Sequence, residues 1–265
     1  MPGQPETVGT VDALWHYPVK SLQGHTADEL VVLGDGVAGD RRLGVVDVAA
    51  DKVLSAKRAP ELLDATVIDG ALQLPDGVTI ALDDPGIHDI LSAWLGRQVQ
   101  LRHSAGTGPL AYEMTFDPPD DTAEYFAIPT PSDTFHDLAA LHLLTTATLA
   151  GCRSARPDLT WDVRRFRPNI VIDSDAEPFA EDLWSGHQVH IGEVTLAVTQ
   201  PTVRCAMPLR AQPPGRNGEP ALDRQPEIHD ALVELNGQFP NHLGVYADVV
   251  TPGTIRVGDT VRVDR

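Results

Sequence analysis

Cys205, one of only two cysteines in a chain of 265 residues, ends the segment Pro201-Thr202-Val203-Arg204-Cys205. A thiolate attacks electrophiles or ligates a soft metal, and a guanidinium beside it in the chain favours that form. A single cysteine after an apolar run, here Val194 to Val198, is more often a small buried hydrophobe than a ligand. Chemistry at Cys205 therefore needs partners. Three segments offer them: Tyr17-Pro18-Val19-Lys20-Ser21-Leu22, Gly39-Asp40-Arg41, and Arg164-Arg165-Phe166-Arg167-Pro168-Asn169. Of the 20 basic residues only Lys20, Lys52 and Lys57 are lysines. The arginines that make up the rest are planar bidentate donors, suited to phosphates and carboxylates.

Other chemistries are poorly supported. Gly34-Asp35-Gly36-Val37-Ala38-Gly39 has the spacing of a dinucleotide fingerprint, but the β-type run Arg41 to Val48 follows where a helix N-terminus is required. The 10 histidines include no H-E-x-x-H or cysteine–histidine zinc pattern. His187 and His190 fall on opposite faces of a turn and strand, and His136 and His142 flank different elements, so solvated histidines are the simpler reading. No G-x-S-x-G elbow marks a serine hydrolase. Two cysteines make at most one disulfide and cannot supply the four thiolates of an iron–sulfur cluster.

Short β-type runs must position these residues in the first part of the chain: Thr10 to His16, Glu29 to Leu33, Leu43 to Val48, Ala65 to Ile68, Val78 to Leu82 and Val99 to Arg102. Glycine, Asp and Pro turns punctuate them, and the pattern reads as a small β-barrel or sandwich. One helix is predicted over about Pro85 to Leu95, stopped by Gly96. Residues 104–135 show no sustained period and read as a linker or active-site loop. The second part predicts a strand at Leu141 to Leu144, a helix from Thr145 or Thr146 to Ala155, and strands at Asn169 to Asp173, Gln188 to Ile191, Val194 to Thr199 and Arg204 to Leu209. A helix over Pro226 to Asn236 and strands over Gly244 to Val250 and Thr254 to Val263 complete it. A net charge of -18 argues against nucleic acid and against an anionic membrane surface. No stretch approaches the apolar length of a bilayer span, and Met1 to Asp12 has no secretory pattern, so a cytoplasmic protein is expected.

Taken together, the segments resemble the MOSC family, named for the C-terminal domain of molybdenum cofactor sulfurases, and within it the mitochondrial amidoxime-reducing components and their bacterial counterparts. The Tyr-Pro-Val-Lys-Ser and Gly-Asp-Arg signatures are similar to the family's N-terminal barrel. Arg167-Pro168-Asn169, Arg204-Cys205 and Pro252-Gly253-Thr254-Ile255-Arg256-Val257-Gly258-Asp259 resemble the MOSC domain itself. The implied fold is β-rich α+β, with an N-terminal small β-barrel domain (1–104), a connection (105–140) and a C-terminal mixed β-barrel MOSC domain (141–265).

The resemblance implies a molybdenum cofactor, a molybdenum–molybdopterin, and reduction of N-hydroxylated small molecules. It makes Cys205 the metal ligand, with Arg204 beside it in catalysis and in cofactor binding. Lys20, Ser21 and Arg41 match positions that grip the pterin and its phosphate. Thr145, Arg167, Asn169 and Tyr246 complete the implied cradle. The physical chemistry agrees, since an anionic cofactor on an acidic protein needs its few cations gathered in one cleft between the two parts. Some relatives carry a ferredoxin-like domain after the last strand and this sequence ends at Arg265, so electrons are expected from a separate electron-transfer protein. Two alternatives stay open: a sulfurtransferase carrying a persulfide on Cys205, and a carrier that holds the pterin cofactor without turnover.

Overall fold

The computed structural model describes residues 5–264, apart from 109, 116, 117, 121, 132 and 217. Seven strands close a barrel in the order Ile170–Asp173, Leu141–Thr145, His242–Thr251, Val194–Val203, Gln188–Ile191, Thr260–Val263, Glu6–His16, and Glu6–His16 pairs back onto Ile170–Asp173. Alternation drives this closure. In Val194–Val203 the residues Val194, Leu196 and Val198 are buried, with half-buried Thr195 and Ala197 between them, so one face of each strand fills the barrel. Leu141–Thr145 is buried on both faces. Its Leu143 enters the barrel core. Its Leu144 packs outward with Leu149 and Cys152 of the helix Thr146–Ala155 and with Ile228 and Leu232 of the helix Glu227–Leu235.

The first part of the chain forms a second β-rich body. A sheet in the order Val99–His103, Leu43–Asp47, Lys52–Val53, Ala111–Met114, Phe126–Pro129 lies beside the meander Thr66–Ile68, Ala71–Gln73, Thr79–Ala81. The helix Ile87–Leu95 buries Ile87, Leu91 and Leu95 in the core of this body, and Gly96, at φ 63°, ends it in the left-handed conformation that glycine adopts freely. Among the described residues no helix is long and apolar enough to cross a membrane.

Several sequence expectations need correction. Residues 104–135 are not structureless, since Ala111–Met114 and Phe126–Pro129 pair with each other and extend the first sheet. Their signal is weak because only four residues pair in each. The strand expected at Arg204 to Leu209 is absent. Pairing stops at Val203 and Met207–Leu209 is a 3-10 turn with Pro208 near its start, a residue that lacks the N–H a ladder needs. The run Thr254 to Val263 is two strands, Gly253–Arg256 and Thr260–Val263, separated at Gly258, whose φ is 89°. The first strand, Glu6–His16, sits in the barrel of the second part.

Candidate functional site

A cleft takes its walls from both parts of the chain. After Glu6–His16 leaves the barrel, the Lys20 N–H donates to the Leu43 carbonyl at 2.8 Å, which fixes Lys20 and Ser21 beside the first sheet. Arg41, Ser55 and Lys57 come from loops of the same body, Asp137 and Leu138 from the segment that leads into the barrel strand Leu141–Thr145, and His142, Arg167, Asn169, Val203, Arg204, Cys205 and Tyr246 from the barrel and its loops. Five cationic side chains line the cleft, Lys20, Lys57, Arg41, Arg167 and Arg204, against one carboxylate, Asp137. In a chain of net charge -18 such a concentration makes an anion-attracting site.

Tyr17 organises the arginine end. It is fully enclosed, its hydroxyl donates to the Pro168 carbonyl at 3.1 Å, and the guanidinium carbons of Arg41 and Arg167 lie 4.5 and 4.3 Å from its ring centroid. Burial, eased only partly by those two guanidiniums, pushes the phenol well above its usual range, so the ring stays neutral. Asp40 is buried beneath. It accepts the Tyr17 N–H at 2.7 Å, pairs with Arg41, and faces His136 Nε2 at 3.3 Å. Burial works to protonate Asp40, but Arg41 and His136 outweigh it and hold the carboxyl well below the usual range.

Three residues of the lining hold a backbone conformation that side chains other than glycine rarely adopt: Ser21 at φ 69°, Arg41 at 49° and Arg167 at 54°. Each such residue costs about 1–3 kcal/mol and persists only where its surroundings over-determine it. Here the Arg41 N–H is bound to the Tyr17 carbonyl at 2.7 Å, and Arg167 closes the turn Val163–Phe166 through its own N–H to the Val163 carbonyl. The turns are spent on aiming side chains into the cleft.

The lysine end is built on one carboxylate. Asp137 receives Lys20 on Oδ1 and Lys57 on Oδ2, the latter at 2.8 Å, and both ammonium groups stand over the Tyr112 ring, 4.6 and 4.5 Å from its centroid. Burial pulls the Lys20 ammonium down to about 8 despite Asp137. Burial also raises the Tyr246 phenol to about 12, and burial together with Arg204 pushes His142 well below the usual imidazole range. His142 is therefore neutral, with Nε2 donating to the Leu243 carbonyl at 3.3 Å. Cys205 carries a free, half-buried thiol and packs against the core that contains Leu22, Val45 and Met207.

Of the residues singled out in the sequence, Lys20, Ser21, Arg41, Arg167, Asn169, Arg204, Cys205 and Tyr246 all line this cleft. Thr145 does not. Its hydroxyl accepts the Thr148 N–H at 3.2 Å as the N-cap of the helix Thr146–Ala155 and donates to Glu181 at 3.0 Å. Sequence reasoning missed Ser55, Lys57, Asp137 and Tyr112, and it took His136 and His142 for solvated residues, whereas both are buried in the cleft wall. Lys57 left a usable signal, since two of the chain's three lysines meet here. Asp137, one of 38 acidic residues, left none.

Known families match in the same two parts. The MOSC N-terminal beta barrel domain matches residues 8–109 and the MOSC domain matches residues 131–262. The chain belongs to the MOSC family. Its first part is the family's N-terminal barrel domain and its second the MOSC domain. It is similar to mitochondrial amidoxime-reducing component 1 of Homo sapiens, 26% identical over 97% of this chain and 83% of that protein, and to the Mus musculus protein of the same name, 27% identical over 97% and 82%. Among solved structures, the YuaD protein from Bacillus subtilis aligns over 98% of this chain and 97% of its own, with 10% identity and a TM-score of 0.43.

Proposed function

We propose that this MOSC protein binds a molybdenum–pterin cofactor in the cationic cleft and, in the cytoplasm, reduces N-hydroxylated small molecules with electrons from a separate donor protein. One observation carries the reading: two guanidinium atoms of the lining, Arg167 Nη2 and Arg204 Nε, are buried with no hydrogen-bond partner among the described residues. Ser55 Oγ, in the same lining, is in the same condition. Buried donors without acceptors are costly, and an anionic ligand in the cleft removes that cost. The donor set fits a pterin that carries a phosphate and dithiolene sulfurs, with Lys20, Arg41, Arg167 and Arg204 to hold the anionic groups and Cys205 as a soft ligand for the metal.

When bound, such a cofactor supplies a two-electron centre. The overall reaction is balanced: an N–O bond breaks, two electrons and two protons are taken up, and an amine and water leave. This chain's residues do the rest. The Arg41–Tyr17–Arg167 stack fixes two charges before the ligand arrives, so little ordering is left to do on binding. Neutral His142 and protonated Tyr246 place uncharged hydrogen-bonding groups beside Arg204 without cancelling its charge. Lys20, with its ammonium near 8, stays charged at neutral pH and so can grip an anionic group.

The test is production in a host that makes the cofactor, then measurement of molybdenum and pterin per chain and turnover of hydroxylamine with reduced viologen. About one molybdenum and one pterin per chain with turnover supports the reading. Sulfur on Cys205 that cyanide removes, without molybdenum, overturns it in favour of a sulfurtransferase, and bound cofactor without turnover overturns it in favour of a carrier.

A further inference from the structure

The lining of the cleft is divided by exposure. Every charged residue in it is buried or half-buried, and among the described residues that line it only Leu138 and Val203 are exposed, at 49% and 43%. Both are large and apolar. Leu138 follows Asp137, the carboxylate that joins the two lysines, and Val203 lies two residues before Cys205 at the end of its strand. They reach the cleft from different elements, Leu138 from the segment that leads into the strand Leu141–Thr145 and Val203 from the end of Val194–Val203.

Exposed apolar groups at the lip of a charged cleft are poorly placed for solvent and well placed to cover something apolar. The occupant is small, because two side chains are far below the roughly 800 Å² that a stable protein partner covers. Nor do they suit the cofactor, whose pterin and phosphate are polar and match the cations deeper in. We infer that Leu138 and Val203 form the specificity rim of the site and receive an apolar substituent, aryl or alkyl, on an N-hydroxylated substrate whose N–O group points inward toward Cys205. This rests on the functional reading above and adds the substrate class: uncharged N-hydroxy compounds with an apolar tail in preference to small hydrophilic ones.

The matched probes are phenylhydroxylamine and hydroxylamine, assayed with reduced viologen on the molybdenum-loaded protein. Loss of a rim contact of one or two methylene groups changes selectivity by about tenfold or more. Leu138→Ser and Val203→Ser should each lower the ratio of kcat/KM for phenylhydroxylamine to that for hydroxylamine by about tenfold, through KM. A second readout needs no turnover: saturation-transfer NMR of aniline, which has the ring and no N–O bond, should show ring contact that weakens in both variants. A ratio and an aniline signal unchanged in both variants overturn the rim while leaving the reductase reading intact. Absence of turnover with either hydroxylamine, alongside aniline contact that the variants abolish, overturns the reductase reading and keeps the rim.

Discussion

Arg41 and Arg167 share one aromatic ring: their guanidinium carbons stand 4.5 and 4.3 Å from the centroid of Tyr17, and Arg41 Nη2 also donates to the Arg167 carbonyl at 3.3 Å. The two arginines come from opposite parts of the chain. The ring thus sets the distance between two like charges that neither backbone fixes alone.

Tyr17→Leu should lower molybdenum content per chain about tenfold, because the two cation–ring contacts together are worth on the order of 1–2 kcal/mol and about 1.4 kcal/mol is tenfold in affinity. Tyr17→Phe keeps the ring and loses only the 3.1 Å bond to Pro168, a change of about 1 kcal/mol in stability. Metal analysis and thermal unfolding of the two variants check this. Equal molybdenum in Tyr17→Leu and the parent would remove Tyr17 from the account of cofactor binding.

Anchoring and chemistry should separate by residue. Lys20→Ala and Arg41→Ala each remove a charge-assisted contact of about 1.5–3 kcal/mol, so cofactor occupancy falls tenfold or more while turnover per bound molybdenum stays near the parent value. Arg204, adjacent to Cys205 and also among the cations that hold the cofactor, should differ in that turnover per bound metal falls in Arg204→Ala, even in the molecules that keep the metal. Titration of molybdenum content against rate in the three proteins decides it, and unchanged occupancy in both Lys20→Ala and Arg41→Ala would mean that the first domain does not hold the cofactor.

The two cysteines should behave differently toward any thiol reagent. Cys152 is fully enclosed, and burial raises its thiol to about 12, whereas Cys205 is half-buried in an open cleft. One equivalent of reagent should label the native cofactor-free protein, at Cys205, and two the denatured one. Cys205→Ser should keep the unfolding temperature and lose molybdenum-dependent activity, since serine preserves volume and is a poor ligand for a soft metal. Retained activity in that variant would refute the ligand role.

Stability should also depend on pH through a residue outside the cleft. Burial raises the Asp182 carboxyl to about 6 against a single bond from Asn236 Nδ2 at 2.7 Å. The folded state then holds this proton more tightly than the unfolded state, whose carboxyl titrates near about 4, so the group's contribution falls as pH rises between about 4 and 6. Asp182→Asn should match the parent in Tm at pH 4 and exceed it at pH 7.5. A Tm difference that does not change with pH would show that Asp182 ionises normally.

Much of the cleft was legible in the sequence because its arginines, Lys20 and Cys205 sit in short motifs that together resemble the MOSC family. The family's two barrels were legible for the same reason. What escaped has physical causes. Asp137 and Lys57 act through partners about 80 positions away, and nothing local distinguishes them from solvated charges. His136 and His142 are polar residues buried by tertiary packing, which no periodicity reports. Thr145 shows the converse error, a hydroxyl in the right segment that is consumed by capping its own helix.

The barrel's closure has a consequence for synthesis. Glu6–His16 is made before every other strand of its barrel, yet both of its barrel neighbours, Ile170–Asp173 and Thr260–Val263, lie beyond the whole first domain. Apart from the short pairing of Leu14–His16 with His25–Ala27, one edge of this strand stays open until Ile170–Asp173 has been made and the other until Thr260–Val263 has, long-range contacts of the kind that slow folding and expose a sticky edge. A fragment severed between the domains would leave the MOSC barrel one stave short, with two raw edges open to its neighbours.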